Sequence, residues 1–304
     1  MDELRAACQT VAADARSVRI DHAAIRPYAA SLAPRAGVVQ PPDAQDFSSP
    51  GEIAAYWLTL DAINFGSGWF PTLRKRDGLS GYNTIALHWR EHHRTHGALT
   101  PARLVRLDPA DVAEILGQDP AHELMQLYAR SLNDLGARLR DAGGVSAVID
   151  AASGSAATLA RRLGGWDCFA DVSRYHELDV PFLKRAQLAA ADLHRAGAAR
   201  FTDLDRLTMF ADNLVPHVLR LDGVLAFDRG LVARIDSGRL IEHGSPEEVE
   251  IRACAVHAVE LIVSALRQTG ALITAADVDE LLWNRGQQPH YKAVRRHRSR
   301  CTDY

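Results

Sequence analysis

Apolar residues that recur every three and four positions constrain this chain more than any other feature of it. Between residues 121 and 141, Leu124, Leu127, Tyr128, Leu132, Leu135 and Leu139 fall on one stripe, so the spacing predicts a long amphipathic helix there. The same period predicts helices over 2–16, 21–33, 50–64, 82–96, 101–106, 109–117, 153–163, 181–196, 216–221, 246–269 and 275–284. Ser49-Pro50-Gly51-Glu52 reads as a helix start with cap, first-turn proline and early acid, and Gly66-Ser67-Gly68 as a stop. Residues 34–49 form the longest loop signal, and the turn-rich stretch 69–80 has room for a small hairpin. The expected fold is mainly α, with at most a small β-hairpin.

With 304 residues, 47% hydrophobic and 24% charged, the chain has the makings of one globular domain over 1–304, or of helical lobes over 1–150 and 151–304 with an active site between them. A formal net charge of −3 disfavours a duplex-DNA binder, which needs a basic face to displace phosphate counterions. Cys8, Cys168, Cys254 and Cys301 are far apart and form no C-x-x-C pair, as expected of reduced, buried thiols in a cytoplasmic protein. There is no apolar run of 18 residues and no apolar core behind the acidic start Met1-Asp2-Glu3, so neither a membrane span nor a signal peptide is expected.

Residues 184–212 concentrate the chemistry. Leu207, Met209, Phe210 and Ala211 deliver a single carboxylate, Asp212, with Leu214, Val215 and Pro216 beyond it. A carboxylate among apolar neighbours is costly unless compensated, which makes it a candidate for chemistry; the plain alternative is a capping or turn carboxylate. Pro216 suits the first turn of a helix, which places Asp212 just before that start. Lys184 lies near the start of the 181–196 helix and reads either as a cleft-facing ammonium that binds substrate or pairs with Asp212, or as a solvated surface lysine. Arg185 and Asp192 read as scaffold. Asp61 and Asn64, three apart at a helix end, can project into one pocket, with Phe65 and Trp69 offering flat faces; the alternative is a helix C-terminus with Asn64 as cap and the rings as core.

His88, His92, His93 and His96 invite a metal reading, but no H-E-x-x-H arrangement or third ligand accompanies them, so no metal is expected. Ser245 and Glu248 predict a capping box at the 246–269 helix, leaving Glu250 and Arg252 as supports for a site. The C-terminal run Lys292, Arg295, Arg296, His297, Arg298, Arg300 is the one concentrated basic feature, suited to a phosphate or to a solvated tail.

Seven segments taken together resemble the queuosine salvage protein family: 18–21, 60–65, Ser80-Gly81-Tyr82, 182–187, 208–212, 248–254 and the tail from His297 to Tyr304. They occur in the family's order and span positions 18 to 304. The resemblance implies hydrolysis of the N-glycosidic bond of queuosine 5'-monophosphate to queuine and ribose 5-phosphate, for queuine salvage, without a cofactor. It implies a helical fold similar to helix-hairpin-helix DNA glycosylases, and Asp212 and Lys184 as the essential pair. Asp61, Asn64, Phe65, Trp69, Tyr82, Phe210 and Arg298 are then the expected substrate-binding residues. The chain departs from the family where Gly66-Ser67-Gly68 interrupts the aromatic run after Phe65. The partner implied is a small molecule, with no stable nucleic acid and no membrane. The alternative is a nucleic-acid-binding helical glycosylase acting on DNA or tRNA.

Overall fold

Many helix starts in this protein are written by short polar side chains. Ser49 accepts from Glu52 N, Ser80 from Asn83 N, Thr100 from Arg103 N and Ser155 from Thr158 N. Asp108 and Thr274 build full capping boxes with Asp111 and Asp277. The computed structural model describes residues 1–32, Phe47 and 49–304, so most of the 34–49 loop expectation lies outside the described residues. In chain order the elements are α1 (Asp2–Asp14), β1 (Val18–Ile20), α2 (His22–Leu32), α3 (Pro50–Ala62), α4 (Gly81–His96), α5 (Pro101–Leu104), α6 (Pro109–Leu116), α7 (Glu123–Asp141), α8 (Val145–Asp150) and α9 (Ala156–Gly164). There follow β2 (Ser173–Tyr175), β3 (Leu178–Val180), α10 (Lys184–Arg195), α11 (Leu214–Leu221), β4 (Leu225–Phe227), α12 (Arg229–Asp236), α13 (Pro246–Gln268), α14 (Ala275–Gly286) and α15 (Pro289–Ala293).

The fold is mainly α, as expected, with two small antiparallel two-stranded sheets among the described residues. β2 and β3 form a hairpin, whereas β1 pairs with the distant β4 in the register Val18↔Phe227 to Ile20↔Leu225. The hairpin expected at 69–80 is replaced by a single 3-10 turn, Phe70–Thr72. Gly81 explains why: a Cβ there would lie 2.6 Å from the Phe70 ring, so the stretch is spent on seating that ring against the start of α4.

The chain forms two compact units, each assembled from separate segments. Of the described residues, the first comprises 1–32, 171–184 and 204–300 and is built on α13, against which α1, α2 and α14 pack. From Glu248 to Val256 every residue of α13 is buried, so the helix is enclosed on all sides there rather than presenting one apolar stripe. Of the described residues, the second unit comprises Phe47, 49–170, 185–203 and 301–304 and is built on α7. Leu124, Tyr128, Leu132, Leu135 and Leu139 are buried as the periodicity predicts, while Leu127 is only half-buried at the edge of the stripe. α5 crosses α7 at Gly136, where a Cβ would meet the Pro101 carbonyl oxygen at 2.8 Å, and Asn133 Nδ2 donates to Leu104 O at 2.7 Å beside it.

Candidate active site

Asp212 ends a buried irregular segment of the first unit: Leu207, Thr208, Met209, Phe210 and Ala211 are all buried. Phe210 N donates to Asp279 Oδ1 at 3.0 Å, and Ala211 O accepts from Arg252 Nε at 2.9 Å, so the backbone is gripped on both faces just before the carboxylate. Asp212 itself is half-buried. Its Oδ1 accepts from Leu214 N at 2.8 Å and Val215 N at 3.0 Å, the first free N–H groups of α11. The capping role is therefore real, and the helix start favours negative charge at that position. Oδ2 has no hydrogen-bond partner among the described residues, which leaves one oriented oxygen for a ligand. α11 begins at Leu214, two residues ahead of Pro216, which still falls where its missing N–H is not needed.

Lys184 is the first residue of α10 and is 6% exposed, which removes the solvated-lysine reading. Its backbone N–H donates to Asp171 Oδ2 at 2.9 Å, and Leu183 N donates to Asp171 O at 3.1 Å. Leu183 is held at φ 51°, a left-handed conformation costly for a branched side chain, so its neighbours over-determine it. The same Asp171 oxygen receives Arg252 Nη2 at 2.6 Å, in a pair with both side chains fully buried. The Arg252 guanidinium lies 3.9 Å from the centre of the Phe182 ring. One buried ion pair thus holds the N–H of Lys184 through Asp171 and the carbonyl next to Asp212 through Arg252. Glu248 stands 3.8 Å from Arg252. Burial pushes the Glu248 carboxyl up, but the hydrogen bond from His243 and the charge of Arg252 outweigh that and leave it below the ordinary value.

The expected capping box does not close on Ser245: Glu248 Oε2 accepts instead from Gly244 N at 3.1 Å, one residue earlier. Glu250 is a structural strut, accepting from Ser17 N, Val18 N and the Tyr175 hydroxyl.

In the second unit the end of α3 is tied by its carbonyls. Ala62 O accepts from Ser131 Oγ and from Arg185 Nη1, and Phe65 O accepts from the Tyr128 hydroxyl. Arg185 also donates to Cys168 O and lies over the Phe65 and Phe169 rings, the scaffold role expected of it. Phe65 is buried edge-on against Tyr128, and Trp69 is buried with Nε1 donating to Glu123 Oε2 at 2.7 Å. Asp61 is fully buried and Asn64 half-buried. The Tyr82 hydroxyl is pushed up by burial and further by the charges of Asp61 and Asp192, which puts these three groups in one neighbourhood. Gly66, at φ 103°, donates to the carbonyl of Tyr304, so the last residues dock rather than fray.

The rest of the tail is ordered along the first unit. Ile241 N donates to Arg298 O, and Arg298 Nη2 to Gly238 O at 3.2 Å. Of the histidine run, His88, His92 and His96 line one pocket, where His88 meets Arg76 and His92 stacks on His96, while His93 packs against Tyr56. Among the described residues no three His, Cys, Asp or Glu side chains are grouped to hold a metal ion. The four cysteines are buried and free.

A family model described as "queuosine salvage protein" matches residues 44–304. The chain belongs to the queuosine salvage protein family. A relative from Sphaerobacter thermophilus, named queuosine 5'-phosphate N-glycosylase/hydrolase, is 35% identical over 97% of this chain and 95% of its own length. One of the same name from Mus musculus is 27% identical over 99% of this chain and 98% of its own, and one from Bos taurus 33% identical over 45% and 44%. Two of the family's segments gain a physical reason here. Ser80-Gly81-Tyr82 joins a cap, a ring seat and the tyrosine near Asp61, and 248–254 carries Arg252. Asp171 escaped the sequence reading, although Phe169-Ala170-Asp171 repeats the apolar-then-acid pattern of Phe210-Ala211-Asp212.

Proposed function

We propose that this protein hydrolyses the N-glycosidic bond of queuosine 5'-monophosphate, releasing queuine and ribose 5-phosphate. Water supplies the hydroxyl that ends on C1', and its remaining proton goes to the departing base nitrogen. As the bond lengthens, positive charge builds on the ribose ring. Asp212, with Oδ1 fixed by two N–H groups, presents Oδ2 to stabilise that charge and to orient the attacking water. Lys184 supplies a buried ammonium that binds substrate or sets the carboxylate, and Phe210 is the apolar neighbour of the reacting end. Asp61, Asn64 and Tyr82 are the candidates for the hydrogen-bonding edge and diol of the base, with Phe65 and Trp69 the aromatic residues of that recognition. The basic tail that carries Arg298 is the candidate for the phosphate end. No helix of the described residues is long and apolar enough to cross a membrane, and buried free thiols suit a reducing cytoplasm.

The observation that carries this reading is the pairing of a match over 44–304 with the half-engaged Asp212 carboxylate. Incubation of the purified protein with queuosine 5'-monophosphate, followed by mass spectrometry for free queuine, tests it. Asp212→Asn keeps an oxygen for the two N–H groups and removes only the charge. We expect that variant to fold with wild-type melting behaviour and to release queuine at least about 100-fold more slowly. A fully active Asp212→Asn sinks the assignment.

A further inference from the structure

The arginines of the C-terminal run are not equivalent. Arg295 Nη1 is used on Asp236 O at 2.8 Å and Arg298 Nη2 on Gly238 O at 3.2 Å, and Arg300 has partners of its own. Arg296 is half-buried yet makes neither a hydrogen bond nor an ion pair with another described residue. The backbone on both sides of it is pinned to α11. Arg295 O accepts from Arg220 Nη2 at 3.1 Å near the end of that helix, and His297 O accepts from Asn213 Nδ2 at 3.2 Å at its start. Residues 295–297 therefore run along α11 toward the residue next to Asp212, and the charge of Asp212 acts on Arg296.

A guanidinium stays ionised at neutral pH, so partial burial without a bonded counter-ion is a standing penalty that a bound anion would offset. The neighbouring rings add no charge to the site: burial pushes His217 down to about 4 and His297 to about 3, so both are neutral at pH 7. A phosphomonoester matches the two-pronged donor geometry of arginine. In a nucleotide the phosphate hangs from C5', away from C1', which calls for a cation beside the acid that faces C1' rather than one bonded to it.

We propose that Arg296 binds the 5'-phosphate of the substrate, while Arg295 and Arg298 anchor the tail that carries it. This rests on Asp212 being the group that faces the anomeric carbon. The test compares wild type, Arg296→Ala, Arg296→Lys and Arg298→Ala on queuosine 5'-monophosphate and on the unphosphorylated nucleoside, with ribose 5-phosphate binding measured by calorimetry. Arg296→Ala should lower kcat/KM for the nucleotide about 10- to 100-fold, leave that for the nucleoside within about twofold, and abolish ribose 5-phosphate binding. Arg296→Lys should recover part of the loss, and Arg298→Ala should affect both substrates alike. Equal losses on the two substrates in Arg296→Ala, or a nucleotide-selective loss in Arg298→Ala instead, would overturn the assignment. Should wild type cleave neither substrate, the proposed reaction falls, while loss of ribose 5-phosphate binding in Arg296→Ala still upholds the subsite and its retention refutes it.

Discussion

Removing the Arg252 side chain is the sharpest perturbation the structure offers, because one guanidinium holds the carbonyl next to Asp212 and, through Asp171, the N–H of Lys184. In Arg252→Met the Asp171 carboxylate loses a partner at 2.6 Å while its side chain stays fully buried, and Ala211 O loses its donor at 2.9 Å. Breaking a buried pair from one side typically costs about 3–5 kcal/mol, since the surviving charge is left uncompensated. The orphaned carbonyl adds about 1–3 kcal/mol, part of it recovered by relaxation. Against a net stability of roughly 5–15 kcal/mol this is a large fraction. Asp171→Asn/Arg252→Met removes both charges, keeps an acceptor for Lys184 N–H, and should be more stable than Arg252→Met alone. Urea unfolding of wild type, both single variants and the double variant measures the coupling, expected at about 2 kcal/mol or more. Queuine release by the double variant, assayed where it is folded, should remain well below wild type because the backbone beside Asp212 is no longer held. Additive single-variant effects, or an Arg252→Met protein within about 0.5 kcal/mol of wild type, would refute the reasoning.

Lys184→Ala leaves the backbone N–H bond to Asp171 intact, so it isolates the ammonium; kcat/KM should fall by about 100-fold or more with little change in Tm, and steady-state kinetics beside a thermal melt check both. His217 and His297, both buried, have folded pKa values near 4 and 3 against an ordinary 6.5, so the unfolded chain binds more protons below pH 6.5. Stability should therefore fall as pH drops from about 6.5 toward 4, with His217 contributing about 3 kcal/mol, and His217→Gln should flatten that limb in melts recorded against pH.

The long helices were legible because burial on one face writes a period into the sequence, and α7 and α13 were located to within two residues by it. α8, α12 and α15 were not: each buries only one or two residues, too few to write a period, although α5, itself only four residues long, was placed. β1 and β4 are three residues each and are made by a pairing across some two hundred positions, which no local pattern announces. At the site, Asp212 and Lys184 stood out in sequence, but the pair that holds them did not. Asp171 and Arg252 are 81 positions apart, and their value lies in their meeting, not in either residue's neighbours. Arg296 was one basic residue among six in the tail; only the hydrogen bonds of Arg295 and Arg298 set it apart.

The capping role of Asp212 and the catalytic role proposed for it are not rival readings of one side chain. A carboxylate free to rotate would present either oxygen, at varying angles, to whatever lies before it. Here Leu214 N and Val215 N both bind Oδ1, which fixes the plane of the group and leaves Oδ2 unbonded among the described residues. The grip on Ala211 O by Arg252 removes motion of the backbone that carries it. Preorganisation of this kind is what an oxocarbenium-like transition state rewards, because the stabilising charge need not be reoriented when positive charge appears on the sugar. In the proposed mechanism the helix cap aims the acid, and the buried ion pair behind it keeps the aim steady.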